Sequence, residues 1–541
     1  MKRRLVVAAV VGVPLVAAAA VYVPISLWDG AGEQTAAGSA TAECQGVDVP
    51  APTGAEIESV TAVSQSAGTF SVPGQPPLGN FPVPDVPAHC RVTVTLTHPG
   101  DGDHAKVEVW LPEAGWNGRF QALGGSAYAA GDNGAGLATA IKQGYAAATT
   151  NAGVGEALDT SWALNSSGQV DTALLTNFAE RSQHELAIIG KQVTAEVYGT
   201  AAPYSYWNGC STGGRQGYVE AQRHPDDFDG ILANAPAINW NQFEVATLWP
   251  QVVMNEAHTY PTPCTFGAFT RAAVAACDIL DGVADGLVSA LQRCEYDPHA
   301  LIGTKIVCDG KESTITAAEA DVVRKIWEGP RSSSGEQLWY GLPIGAAFDY
   351  LAAVTTDASG THGAPFPVPA AWVSTFVEKQ PTFDTSKLTT RQFEDIFQRA
   401  RAEYDTVIGS REEDLSAFRD AGGKLLTVHG DADQLIPTPG TVDYRKRVED
   451  KMGGADKVDD FYRLFLAPGT THCGLSGGKA DDLAALVAWV ENGKAPDTLT
   501  ATLTNATGQP LVRELCRYPL ISRYTGQGDT AATDSFHCGP A

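Results

Sequence analysis

Residues 90–112 alternate between apolar and polar side chains. "CRVTVTLTHP" (90–99) and "HAKVEVWLP" (104–112) show the two-residue period of strands with one buried face, and their proximity predicts an antiparallel pair. Later segments change to short apolar runs. "YSYW" (204–207) predicts a strand leading into Cys210 and Ser211, followed by a helix over 212–224. "GILANAP" (230–236), "KLLTVHG" (424–430) and "FYRLFLAPG" (461–469) are continuous apolar runs, which predicts strands buried on both faces. "ADDLAALVAWVEN" (480–492) carries Leu483, Leu486, Val487 and Val490 at helical spacing. Strands alternating with helices predict an α/β layered sheet. Between about 240 and 415 the alternation gives way to Pro-rich loops, helical segments and four cysteines, which predicts an inserted cap. The expected division is a leader and linker over 1–43, core over 44–239, cap over 240–415 and core again over 416–541.

The N-terminus carries a different pattern. Lys2, Arg3 and Arg4 precede an apolar run from Leu5 to Trp28, and small residues follow in "AAGSATA" (36–42). This is the pattern of an export signal, or of an uncleaved membrane anchor because the run exceeds a usual signal core. Either outcome places the remainder outside the cytoplasm. Ten cysteines, an even number behind an export pattern, then read as disulfides. His–Cys pairs at 89–90, 472–473 and 537–538 raise zinc as a rival, but no C-x-x-C spacing accompanies them. Asn165 and Asn505 stand in N-x-S/T contexts, which matters in a glycosylating host. The chain has 541 residues and 44% hydrophobic content, enough to bury a large core and a second, smaller one. With 37 basic against 62 acidic residues its formal charge is −25, which argues against nucleic acid or an anionic membrane surface as partners.

The pattern G-x-S-x-G occurs twice, at 209–213 and in "GLSGG" (474–478). Ser211 follows a predicted strand and opens a predicted helix, the context of a nucleophile elbow, whereas Ser476 lies in a glycine-rich loop. A serine hydroxyl needs a base, and in an α/β-hydrolase the acid and the histidine follow the serine in that order. If the acid follows "KLLTVHG", only His472 and His537 remain, and His472 lies just past a predicted strand. "HGDADQLIP" offers Asp433 as the acid, at the fifth position of the strand-end pattern, with Asp431 as the competitor. Cys210 adjoins Ser211, and Cys473 adjoins His472. If serine and histidine meet, the two cysteines meet as well, and a disulfide between them removes a thiol that would compete with the serine. In the entropic account a loop this long is stabilised by about 5 kcal/mol, although positioning is the larger expected benefit.

"YWNGCSTGGRQGYVEAQRHPDDFDGILANAPAINW" (206–240) resembles the signature of the tannase and feruloyl esterase family, which includes a hydrolase of mono(2-hydroxyethyl) terephthalate. "PAHCRV" (87–92), "WLPEAGWNGRF" (110–120), "DLSAFRDAGGKLLTVHG" (414–430) and "HCG" (472–474) extend the resemblance over about 44–540, weakest across the cap. It implies an α/β-hydrolase core with a lid, cleavage of aromatic-acid esters, and a Cys-Ser…Asp…His-Cys arrangement with bridged cysteines. "CDILDGVADGLV" (277–288) is similar to the family's calcium loop. Asp278, Asp281 and Asp285 would supply carboxylates, Val283 and Leu287 backbone carbonyls, and glycines at 282 and 286 let the loop wrap a hard cation. The implied role is structural, with no organic cofactor. The family pattern also implies the pairs Cys277–Cys294, Cys44–Cys90, Cys516–Cys538 and Cys264–Cys308. Oxyanion donors would be the amides of Thr212 and of Ser126, with Gly125 and Ala127 as alternatives. Two departures stand out. The run "QALGGSAYAAG" (121–131) has fewer glycines than the family shows, and Asp431 stands where the family often has Trp. Such an extra carboxylate near a histidine is expected to raise the imidazole pKa.

The expectation is an exported serine esterase acting through an acyl-enzyme on a small aromatic ester (feruloyl, galloyl or terephthalate-like) or an esterified plant polymer. A membrane enters only if the leader is an uncleaved anchor. The rivals are a serine peptidase or acyltransferase with the same triad, and a calcium-stabilised surface binding protein with a dead one. Selectivity is expected to lie in the cap, where Trp249, Trp327, Trp339 and Phe376 read as core before pocket wall.

Overall fold

Nine strands lie side by side in one central sheet: β1 (Glu56–Gln65), β2 (His89–Thr97), β3 (Ala105–Pro112), β4 (Arg119–Ser126), β5 (Ala146–Thr150), β6 (Tyr204–Cys210), β7 (Gly230–Asn234), β8 (Lys424–Gly430) and β9 (Tyr462–Ala467). This computed structural model describes residues 44–73, 80–358, 360–474 and 478–541. The expected leader and linker (1–43) and Ser476 lie outside the described residues. The spatial order is β1-β2-β3-β5-β4-β6-β7-β8-β9, with a short strand, Ala129–Gly131, folding back on β4. β1, β2, β3 and β5 are joined by antiparallel pairings, and every pairing from β5 through β4 to β9 is parallel. The alternating segment therefore forms the antiparallel flank, and the apolar runs form the doubly covered parallel strands.

Helices cover both faces. On one, α2 (Ser182–Tyr198), α3 (Thr212–Arg223) and α4 (Thr438–Met452) bury Leu186, Val193, Tyr218, Tyr444 and Val448 against Phe120, Trp207, Leu425 and Tyr462. On the other, α1 (Ala135–Lys142) and α5 (Asp482–Asn492) bury Leu137, Ile141, Leu486 and Trp489 against Trp110, Tyr206, Leu426 and Phe465.

Between β7 and β8 the chain leaves the sheet and builds a helical body that includes Trp240–Ala246, Trp249–Ala257, Pro263–Cys277, Ala317–Glu328 and Thr390–Tyr404. Its core contains Trp240, Trp249, Trp372, Phe376 and Phe393, with Trp327 and Trp339 packed partly buried against it. Tyr128, Val154 and Phe178, from the connections after β4 and β5, belong to the same cluster. The cap core thus continues into loops of the sheet domain. At the C-terminus, Thr498–Thr504 pairs with Lys479–Ala480 and Pro510–Cys516, and Leu520–Tyr524 pairs with Phe536–Pro540. Among the described residues no helix is long and apolar enough to cross a membrane.

Five disulfides join the pairs named above: Cys44–Cys90, Cys210–Cys473, Cys264–Cys308, Cys277–Cys294 and Cys516–Cys538. No free cysteine remains among the described residues.

Small residues set how closely α2 approaches the sheet. A Cβ on Gly190, in the middle of α2, would lie 2.4 Å from Phe120 Cζ and 3.3 Å from Ala148 Cβ. Helix propensity alone favours alanine there by about 1 kcal/mol. Steric crowding decides the opposite sign: Gly190→Ala is expected to lower the Tm. Calorimetry checks this, and a Tm equal to or above that of the parent protein contradicts it.

Candidate active site

β6 ends at Cys210 and α3 starts at Thr212, so Ser211 occupies the turn itself, with φ 64° and ψ −121°. A serine with positive φ is strained and is held there by its surroundings. Its amide donates to Asn234 O (3.1 Å), and its carbonyl accepts from Arg215 N and Ala237 N (3.0 Å each). Glycine is required beside it. A Cβ on Gly209 would sit 2.4 Å from Gly213 O, and one on Gly214 2.3 Å from Asn234 O.

Asp433 is fully buried just after β8. Its Oδ1 accepts from Leu435 N and Ile436 N (2.8 Å each), and its Oδ2 accepts from His472 Nδ1 at 2.8 Å. That bond requires a proton on Nδ1 and leaves Nε2 as the basic nitrogen. A second imidazole shares the same oxygen. His429 Nε2 lies 3.2 Å from Asp433 Oδ2 and 3.2 Å from Ile436 O, and its Nδ1 lies 2.9 Å from Thr441 Oγ1. Two acceptors on Nε2 fix that nitrogen as a donor. Burial works to raise the Asp433 pKa, but the two imidazoles and their hydrogen bonds hold the carboxyl well below its usual range. From sequence, His429 in "KLLTVHG" reads only as a strand residue. The one signal was its place at the end of β8, four residues before the acid.

Asp431, the competing acid, forms no bond to His472. It is buried, its Oδ1 has no hydrogen-bond partner, and burial pushes its carboxyl up to about 7. Below that pH it is neutral, so it cannot act on the histidine as the fixed negative charge expected from sequence. His537 lies exposed on the C-terminal hairpin, opposite Arg523.

The Cys210–Cys473 bridge, with Cα atoms 6.0 Å apart, joins the elbow to the segment carrying His472. The His472 amide also donates to Gln434 Oε1 at 3.0 Å, tying it to the acid loop.

The amides near the elbow are bonded differently. Ser126 pairs with Ala129 across a two-residue turn, a register that engages the Ser126 amide in the hairpin. Gly125 N donates to Gln216 Oε1 (2.9 Å). Ala127, at φ 46° in the turn, is therefore the position that can offer its N–H, and its carbonyl accepts from Thr212 Oγ1 at 2.7 Å. Gln216, whose Nε2 also donates to Ala130 O (2.9 Å), clamps this turn to α3 and was not legible in the sequence.

In the cap, Asp278 accepts from Asp285 N and Gly286 N, Asp281 from Val283 N, and Asp285 from Leu287 N and from Arg513 Nη2 at 2.7 Å. Asn505 Nδ2 donates to Asp285 O (2.8 Å). The loop is thereby docked on the C-terminal sheet.

The family profile described as "Tannase and feruloyl esterase" matches residues 90–539. The chain belongs to the tannase and feruloyl esterase family. It is 47% identical over 507 residues to a probable feruloyl esterase of Arthroderma benhamiae, covering 92% of this chain and 93% of that one. Feruloyl esterase B of Aspergillus niger is 30% identical, with coverage of 83% and 86%. Among solved structures, a tannin acyl hydrolase from Aspergillus niger superposes with a TM-score of 0.80 at 29% identity, covering 91% of this chain and 93% of that one. Feruloyl esterase B from Aspergillus oryzae gives 0.76 at 28%, covering 90% and 97%. This family member is a carboxylic ester hydrolase.

Asp431 generates a prediction about stability. Its folded-state pKa of about 7 lies above the value near 3.9 of an unfolded aspartate. Between those values the folded protein keeps a proton that the unfolded chain has lost, so stability falls as pH rises. Asp431→Asn removes this penalty. The Tm difference between variant and parent is expected to grow in the variant's favour from about pH 4 to 7 and level off above. A difference independent of pH contradicts it.

Proposed function

We propose that this chain is an exported α/β-hydrolase that cleaves esters of aromatic acids through an acyl-enzyme. The carrying observation is the buried His472–Asp433 pair at 2.8 Å on a segment disulfide-linked to the strained serine elbow. Ser211 attacks the ester carbonyl while His472 Nε2 takes the hydroxyl proton, then returns it to the departing alcohol. Asp433 holds the imidazole tautomer and offsets the charge that forms on it, remaining a carboxylate throughout. The amide of Thr212, at the positive end of α3, and that of Ala127 receive the oxyanion. Water, activated by the same histidine, releases the acid.

Two observations support an aromatic acyl group. The relatives are named for feruloyl esters and tannin. Tyr128, next to Ala127, opens an aromatic cluster in which it stacks on Phe376 (5.9 Å, 11°) and meets Trp240 edge-on (5.6 Å). Export is supported by the basic-then-apolar leader and by five disulfides, which persist in oxidising compartments.

We also propose calcium in the loop 277–288. Its donor set fits a hard cation. Asp278 and Asp281 are buried carboxylates, Asp285 is nearby, and the carbonyls of Val283 and Leu287 accept none of the turn and loop hydrogen bonds. Gly282 (φ 105°) and Gly286 (φ 85°) supply the curvature. A bound ion would pin this loop, and no catalytic step involves it.

Ser211→Ala is expected to lower kcat on methyl ferulate or methyl gallate by a factor on the order of 10⁵ with the fold unchanged. Turnover within tenfold of the parent contradicts the assignment. Chelation with EGTA is expected to lower the Tm and added calcium to restore it, with no such shift in Asp281→Asn. A Tm indifferent to chelator overturns the calcium proposal.

A further inference from the structure

The chain enters the cap through the helix Trp240–Ala246, which begins three residues after Ala237, whose amide donates to the Ser211 carbonyl (3.0 Å). Trp240, Phe243, Glu244 and Thr247 recur at intervals of three and four and share one face of this segment. At one end of that face Trp240 meets Tyr128 edge-on at 5.6 Å, next to Ala127 in the turn after β4. At the other end Thr247 borders a small cavity together with Tyr340 and Pro437, just past the acid Asp433. Glu244 lies between the two, on the cap side of the space that separates the turn after β4 from the acid loop.

Glu244 is the misfit of this apolar wall. It is 3% exposed, and among the described residues its carboxyl forms no hydrogen bond or ion pair, so burial alone raises its pKa well above the usual carboxylate range. The indole nitrogens of Trp240 and Trp372 are fully enclosed and unpartnered, but the Glu244 oxygens are not enclosed in this way, which puts the residue's small exposed area at its carboxyl. Tyr128 does not satisfy it, because the Tyr128 hydroxyl donates to Val368 O at 2.9 Å. Glu244 is nevertheless the charged side chain that acts on that hydroxyl, whose pKa is raised by burial first and by Glu244 next. Asn241 and Gln242, on other faces of the helix, both donate to Asp405 instead (3.1 and 3.3 Å). A neutral carboxyl has one O–H to donate and a carbonyl oxygen to accept, which matches a hydroxyl carried on an apolar ring.

We propose that Glu244 is a specificity residue that hydrogen-bonds the phenolic hydroxyl of the acyl group and so selects 4-hydroxylated aromatic acids. This rests on the aromatic-esterase reading above. In that reading His472 protonates the leaving oxygen, so the alcohol departs on the histidine side. The acyl ring then extends past the turn after β4, toward Tyr128 and Glu244. The 4-hydroxyl, common to feruloyl and galloyl groups, lies at the end of the ring farthest from the ester. A terephthalate monoester carries a carboxylate there and is disfavoured, since a buried anion beside a buried acid has no cation to offset it.

The test compares kcat/KM of the full chain on methyl ferulate and methyl 3-methoxycinnamate, which differ only in the 4-hydroxyl. The parent protein is expected to prefer ferulate by roughly tenfold or more, because the analogue leaves a buried polar group unpaired. Glu244→Met removes that group at similar volume and is expected to bring the ratio to about one by lowering turnover of ferulate. Glu244→Gln, which keeps a donor and an acceptor, is expected to restore a preference. Fluorophosphonate labelling of Ser211 reports whether each variant has folded. A parent that cleaves the two esters alike, a Glu244→Met variant with the parent's ratio, or a Glu244→Gln ratio no higher than that of Glu244→Met overturns the assignment and leaves the esterase reading standing. A parent that cleaves no aromatic ester overturns both.

Discussion

The Cys210–Cys473 bond is the constraint on which the active-site arrangement depends. It joins residues 263 positions apart, one beside Ser211 at the end of β6 and one beside His472 after β9. β7 and β8 lie between those strands in the sheet, so no direct strand pairing holds the two ends together. The bridge does so covalently. It also consumes the thiol adjacent to Ser211, so that sulfur is no longer available as a nucleophile. In the unfolded chain such a link removes loop entropy equivalent to about 5 kcal/mol. Its larger consequence is positional, because a catalytic group displaced by about an ångström can lose a hundredfold in rate.

Around this staple the charges are arranged by burial. Asp433 is ionised in a dry environment because two imidazoles and two amides surround it. Asp431, two residues away, lacks such partners and is pushed toward neutrality. One carboxylate is thus held ionised against His472, while its neighbour is kept largely neutral below about pH 7. The same loop uses His429 to brace the acid from behind, and Thr441 on α4 fixes that ring in turn.

How much of this was legible in the sequence depended on side-chain size and on locality. β8 and the apolar core of β9 announced themselves through large apolar residues. β5 did not, because "AAATT" is fully buried yet carries no bulky side chain. The bond from Asp433 to His472 followed from chain order and strand-end patterns, and their local sequence carried the candidates. The bonding of the turn after β4 did not follow. The engagement of Ser126 depends on its pairing with Ala129 around a positive-φ alanine, a register decided by tertiary contacts through Gln216 and Thr212. Nor could composition reveal that Tyr128 and Phe178 complete the cap core, since those contacts join segments more than sixty residues apart.

The central claim is that the serine elbow and the histidine segment form one covalently stapled centre. Its most direct test is to label the protein with a fluorophosphonate, digest without reduction, and map the peptides by mass spectrometry. The account predicts the label on Ser211, within a peptide pair still joined through Cys210 and Cys473. A label on another serine, or either sulfur bonded to a different partner, contradicts it.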